Sequence, residues 1–290
     1  MISKKINEWY QSVNQLSGKR LDILKNTLTA FSETRASQAA ASLAYYALFS
    51  LFPLLLVLIA GGSYFMDSQQ VFRVVTQFVH SALPVSPQLI NENLRQVLDA
   101  RDAVGIVSLL TLLWSASGVF TNLAYNINLA WPKASRRNFL RKRLVGLGMI
   151  GGLGLLLILS LVLNWITTFI PFLNDDKASF LTLDLWRLIS SLGSWLMIFL
   201  LFLALYRWVP TTHVDRGATL WGALTASIAW KLALAGFGWY LLSGMGRYQL
   251  VYGSLGAIVA LMFLIFIISL ITLFGAHLSA SIDRWKKSEL

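Results

Sequence analysis

Few side chains in the long apolar stretches of this chain can do chemistry, and their spacing groups them. Gln38, Ser42, Tyr45 and Tyr46 recur at intervals of three, four and seven residues, as do Ser115, Asn122, Tyr125 and Asn126. On a helix each set shares one face. Such groups hold a polar substrate by hydrogen bonds, or bond helix to helix at about 1 kcal/mol or less per pair. Thr272 and His277 stand near the end of a third apolar stretch, and Lys231 is the one charge inside a fourth. An ammonium in that setting holds an anionic head group or a coupled ion, or else snorkels to the nearest interface.

Other chemistry lacks its residues. Cysteine is absent, which removes thiol catalysis, thiolate metal sites and disulfides. His80, His213 and His277 are far apart in sequence, and no other metal-ligand spacing occurs. There is no GxxxxGK[ST], GxSxG, HExxH or HxE…CxxC pattern. The expectation is therefore no metal, no cofactor and no enzymatic activity.

The elements that position these residues are long and apolar. Hydrophobic residues make up 56% of the 290 and charged ones 13%, where a soluble domain carries about 25% charged. Too few charges remain for a polar skin. Five charge-free runs, Ala36–Met66, Ala103–Pro132, Leu144–Asn174, Leu188–Tyr206 and Tyr248–Ile282, and a sixth, Gly217–Gly246, broken only by Lys231, are each long enough to span about 30 Å of hydrocarbon. The predicted fold is all-α: a polytopic membrane protein with six transmembrane helices. Its parts are a cytoplasmic amphipathic segment (1–35), a transmembrane domain (36–282) and a cytoplasmic tail (283–290). The acidic residues all fall outside the runs, so no intramembrane carboxylate pair is available.

Charge sets the orientation. Seventeen of the 24 Lys and Arg fall on the side holding both termini, the Lys133–Arg143 loop and Arg207–Arg216, against six on the other side. Lys/Arg-rich loops face the cytoplasm, so both ends are predicted there. The net charge of +11 then reflects contact with anionic lipid head groups rather than nucleic acid. The first external loop (67–102) carries two helical-period stripes, Val71 to Val79 and Leu89 to Leu98, split by Leu83-Pro84-Val85-Ser86-Pro87. They predict an amphipathic helical pair lying over the outer mouth or in the head groups. Ile6, Trp9, Tyr10, Val13 and Leu16 predict an interfacial helix near the N-terminus.

Topology then places Gln38 to Tyr46, Asn122 to Asn126 and His277 all in the cytoplasmic half. The candidate substrate-binding residues of one polar cavity are Gln38, Ser42, Tyr45, Asn122, Tyr125, Asn126, Lys231 and His277. Gly148 and Gly152, like Gly222 and Ala226, have the small-xxx-small spacing of close helix packing, within the chain or in a homo-oligomer. Pro53 and Pro171 are candidate kinks.

Several motifs in order carry a resemblance. They are Ala40-Ala41-Ser42-Leu43-Ala44-Tyr45-Tyr46-Ala47-Leu48-Phe49-Ser50-Leu51-Phe52-Pro53, Trp114-Ser115-Ala116-Ser117-Gly118 through Asn126-Ile127-Asn128, Arg207-Trp208-Val209-Pro210, Tyr252-Gly253-Ser254-Leu255-Gly256-Ala257 and Gly275-Ala276-His277-Leu278. From about Ser37 onward the chain resembles the YihY/virulence factor BrkB family of bacterial inner-membrane proteins, formerly labelled ribonuclease BN. The resemblance implies a six-span protein of the bacterial inner membrane, in a family linked to virulence and to export of envelope lipid. Where that family often has Gly-Ala-Glu, this chain has Gly-Ala-His at 275–277. The function expected is a transporter or flippase-like protein for an amphipathic or lipid-like substrate. The rival expectation is a membrane scaffold of the cell envelope without transport activity.

Overall fold

The computed structural model describes residues 20–62, 67, 69–71, 73–74, 76, 106–132, 138, 140–152, 154–155, 180–243 and 256–288. Those residues form helices and short connections, with no strand among them. We label the helices α1 (Arg20–Glu33), α2 (Ala36–Gly62), α3 (Ile106–Leu129), α4 (140–152 and 154–155), α5 (Phe180–Trp208), α6 (Arg216–Leu242) and α7 (Gly256–Ser288). A further helical stretch, 69–71, 73–74 and 76, begins the first long loop. The rest of the expected helical pair, the Ile6–Leu16 stripe and Pro171 lie outside the described residues.

The packing is that of a bundle in lipid. The buried positions of α6 and α7 are largely small: Ala218, Thr219, Ala223, Ala226 and Ser227 on one, Ala276, Ser279 and Ala280 on the other. Large apolar side chains point outward instead, including Trp221, Leu232 and Trp239 on α6 and Met262 and Phe263 on α7. A soluble bundle would bury such side chains, since exposed apolar area that extensive favours association. Small residues inside let backbones approach where lipid removes the hydrophobic drive between helices. Two described helices, Arg216–Leu241 and Ile258–Ser288, are long and apolar enough to cross a membrane.

Helix α7 is the central staff and packs against α1, α2, α3, α5 and α6. Its tightest junction is with α5 and α6. A Cβ added to Gly222 would lie 2.7 Å from Ser279 Cβ and 2.8 Å from Gly275 O. One added to Gly275 would strike the Tyr206 hydroxyl and lie 2.9 Å from Ala226 Cβ. The buried Tyr206 hydroxyl donates to Thr272 O at 2.8 Å, closing the junction. The Gly222/Ala226 spacing thus serves close packing inside the chain.

Helix ends depart from the charge-free runs. Helix α5 begins at Phe180, so Asp184 and Arg187 are helical rather than loop residues. Helix α7 runs to Ser288, past the expected boundary at Ile282. The reason is local: Lys287 pairs with Asp283 one turn earlier at 2.8 Å, and Lys286 reaches Asp215 at 2.6 Å. A helix unmarked by any apolar run, α1, packs on α7 through Phe31, whose ring meets Phe274 edge-on at 6.0 Å. It joins α2 through Arg35, held at φ 52° while its N–H donates to Ser32 O.

Candidate functional site

Three helices build a polar concavity in the described bundle. Helix α2 presents Ser42 and Tyr46, α3 presents Gly118, Thr121, Asn122 and Tyr125, and α4 presents Lys142 and Arg143. The open groove they form has a volume of about 480 Å³. Helices α3 and α4 come close because Gly146 has no side chain: a Cβ there would lie 2.5 Å from Thr121 Oγ1 and 2.7 Å from Ser117 O. That approach brings the first turn of α4 against the middle of α3.

The two cations are held differently. Arg143 donates from one terminal nitrogen to Trp114 O at 3.0 Å and to Ser117 Oγ at 2.9 Å. Its guanidinium also lies 4.6 Å from the centroid of the Trp114 ring. The Lys142 ammonium lies 5.2 Å from the centroid of the Tyr125 ring and makes no hydrogen bond among the described residues. Asn126 Nδ2 donates to Asn122 O at 2.9 Å and to Asn122 Oδ1 at 3.0 Å. This leaves the Nδ2 of Asn122 as its remaining donor. Thr121 donates to Ser117 O at 2.7 Å, so its oxygen keeps acceptor capacity toward the groove. Tyr45 and Phe49 form an exposed aromatic rim on α2, their rings 4.7 Å apart.

Of the residues expected from sequence, the groove gathers Ser42, Asn122 and Tyr125, with Asn126 orienting Asn122 and Tyr45 at the rim. Gln38 is exposed one turn before Ser42 and does not line it. Lys231 is exposed on α6, a helix that contributes nothing to the lining. His277 is buried in the seam between α1 and α7, its Nε2 3.1 Å from Thr34 Oγ1 and its ring edge-on to Phe31. The two cations of the lining belong to a segment that charge counting assigns to a loop. A signal was present: Arg143 directly precedes a charge-free run, so a small extension of that helix draws it inward.

The bundle end carrying Arg35, Arg207, Arg216 and Lys286 is clasped separately. Asp215 caps α6, accepting from Ala218 N at 2.9 Å and from Lys286 Nζ at 2.6 Å. These two donors, the lysine first, hold its carboxyl below the ordinary carboxylate range. The buried Asp283 accepts from Asp215 N at 2.9 Å and from Lys287, which also donates to His213 O. Asn128 Oδ1 accepts from Thr211 N at 2.8 Å, and Arg207 donates to Val214 O. The connection between α5 and α6 is thus tied to α3, α5 and α7 together.

Known proteins place the chain. Residues 27–290 match the family described as Virulence factor BrkB. The chain is 27% identical over 273 residues to a ribonuclease-like protein, YfkH, of Bacillus subtilis (strain 168), covering 92% of this chain and 97% of that one. It is 25% identical to a UPF0761 membrane protein of Haemophilus influenzae (strain 86-028NP), covering 87% of this chain and 92% of that one. A UPF0761 membrane protein of Vibrio vulnificus (strain YJ016) is 26% identical, with 90% and 83% covered. No solved structure matches. With lipid-type packing and a match over nearly its whole length, this chain is a membrane protein of the BrkB family.

Proposed function

We propose that the protein is a transporter or flippase-like protein that moves an amphipathic, lipid-like anion through the groove between α2, α3 and α4. It crosses the bacterial inner membrane six times, with both termini and the clasped basic end in the cytoplasm. One observation carries the proposal: the Arg143 guanidinium sits on Trp114 and Ser117, at the middle of α3. Ser117 is twelve residues from Leu129, so about 18 Å along the helix from that end. An arginine at such depth costs about 2.5–3.5 kcal/mol on insertion scales and marks a working site more often than a structural one.

The lining supports an anion with an apolar tail. It offers two cations, four hydroxyls and an amide, with no carboxylate or histidine among its described residues. The adjoining surface is exposed Tyr45, Phe49, Leu110 and Trp114. A ribonuclease-like relative does not change this reading, because the described lining offers no carboxylate or histidine for general acid–base chemistry. Nucleic acid is not the partner; anionic lipid is.

Reconstitution tests the proposal. Vesicles of phosphatidylcholine containing the protein are loaded with acyl-labelled fluorescent phosphatidylglycerol or phosphatidylcholine, and outer-leaflet probe is quenched with dithionite. Protein-dependent movement of the anionic probe is expected. No movement of either probe overturns the proposal.

A scaffold role has one observation in its favour. Among the described residues nothing lies within 4 Å of a Cβ added to Gly148, Gly151 or Gly152. That small-residue face of α4 has room for a second helix, from another copy or an envelope partner.

A further inference from the structure

The groove is not a single anion site. Lys142 and Arg143 are neighbours in sequence, yet their charged ends lie over rings eleven residues apart on α3, Tyr125 and Trp114. Eleven residues of helix separate those rings by about 16 Å along the axis. The charges therefore stand at two levels. Lys142 stands toward the clasped basic end and Arg143 toward the middle of α3. Between these levels the wall is Asn122, Thr121 and Gly118, faced by Ser42 and Tyr46.

The two levels also differ in rigidity. Arg143 is anchored on Trp114 O, Ser117 Oγ and the Trp114 ring, and its planar guanidinium has the geometry that suits a phosphate. Among the described residues Lys142 is held by the Tyr125 face alone, on a flexible stem that can reach out and swing back. Gly118 lies beside the second level, where an added Cβ would sit in ordinary contact with the Arg143 terminal nitrogen at 3.8 Å.

We infer that Lys142 and Arg143 are successive rungs for one phosphodiester head group, Lys142 capturing it and Arg143 holding it at mid-depth. The occupant is a phospholipid rather than a soluble phosphate, because the exposed Trp114 ring lies under Arg143 and the exposed Tyr45 and Phe49 rings continue outward from Tyr46 of the lining. This rests on the transport reading above and adds its order of steps.

The test uses the full chain in phosphatidylcholine vesicles, with fluorescent phosphatidylglycerol at rising mole fraction and native mass spectrometry of bound phosphatidylglycerol alongside. Lys142→Ala raises the half-saturating mole fraction about fivefold while the maximal rate stays within about twofold. Arg143→Ala lowers the maximal rate about tenfold or more and leaves phosphatidylglycerol bound. Arg143→Lys keeps the charge without the paired donors and falls between, which covers the case in which the alanine variant fails to fold. If both substitutions shift the same parameter, or Arg143→Ala abolishes binding and movement together, the two-rung order is wrong while transport stands. If the wild type binds phosphatidylglycerol but moves none, the transport reading and the order fall together. Millimolar glycerol 1-phosphate leaves the bound lipid in place; its displacement would overturn the phospholipid assignment.

Discussion

The junction of Tyr206, Gly275 and Ala226 makes a prediction with a sign as well as a size. In Gly275→Ala the new methyl meets the Tyr206 hydroxyl and lies 2.9 Å from Ala226 Cβ, inside any real carbon contact. Helices α5, α6 and α7 must separate there, and overpacking of this kind costs about 1–3 kcal/mol. Tyr206→Phe removes the 2.8 Å bond to Thr272 O. Such a bond contributes about 0.6–1 kcal/mol in a membrane bundle, because the unfolded chain in lipid also finds partners. The two changes are not independent, since the atom deleted by one is the atom struck by the other. In the Tyr206→Phe background Gly275→Ala should therefore cost about 1 kcal/mol less than in the wild type, leaving the Ala226 contact and the ring Cζ at 3.0 Å to relieve. Reversible unfolding in mixed micelles, followed by far-ultraviolet circular dichroism for all four corners of the cycle, measures this. Additivity of the two single changes to within about 0.3 kcal/mol would refute the stated clash.

Further outcomes follow from other sites. Asp215 has a lowered carboxyl pKa, so its contribution to stability is complete above the ordinary carboxylate value and fades as pH falls through the lower folded value. Asp215→Asn keeps the cap but should flatten that acid limb of the stability–pH curve, and an unchanged limb would count against the Lys286 pairing. Arg35→Gly frees a left-handed position and should stabilise the α1–α2 turn by about 0.5–1 kcal/mol; destabilisation would show that the Arg35 side chain holds the corner. Lys231→Leu should leave movement of the anionic probe within about twofold, because α6 does not line the groove, whereas a tenfold loss would return that cation to the path. In a chain without cysteine, single cysteines at Ser135 and Ser86 should be labelled from opposite sides of the membrane, and same-side labelling would overturn the six-span orientation.

Part of the groove's lining was legible in spacing, because a helical face is a matter of counting. Ser42 and Tyr46 on one stretch and Asn122, Tyr125 and Asn126 on another share faces whatever the neighbours do, and those faces meet. Depth was less legible. A charge-free run records where hydrocarbon tolerates no ion, and a helix obeys hydrogen bonding instead, so α5 starts before its run and α7 outlasts its own. Arg143 falls in that gap. Counted by sign it belongs with Lys133 and Arg137 in a basic loop; placed by Gly146, which lets α4 close on α3, it stands in the bundle. Helix α1 was hidden for a related reason. Its apolar positions, Ile23, Phe31 and the exposed Leu24 and Leu28, alternate with charges and leave no long run to find.

The way Arg143 is held bears on what the groove can do. On the transport reading the Arg143 guanidinium lies at mid-depth, which costs about 2.5–3.5 kcal/mol. Against this stand a cation–π contact of about 0.5–2 kcal/mol and two hydrogen bonds, each contributing about 0.6 kcal/mol in membranes or more where the donor is charged. The offsets roughly match the cost, so these contacts alone compensate most of the penalty of placing the cation there. A site that needed its ligand for insertion would bind too tightly to release it, whereas one already satisfied by Trp114 and Ser117 can exchange. Phosphatidylglycerol should accordingly leave the wild-type protein on the timescale of its movement across the vesicle, as measured by exchange of labelled for unlabelled lipid. A residence time of hours beside movement in minutes would contradict this balance.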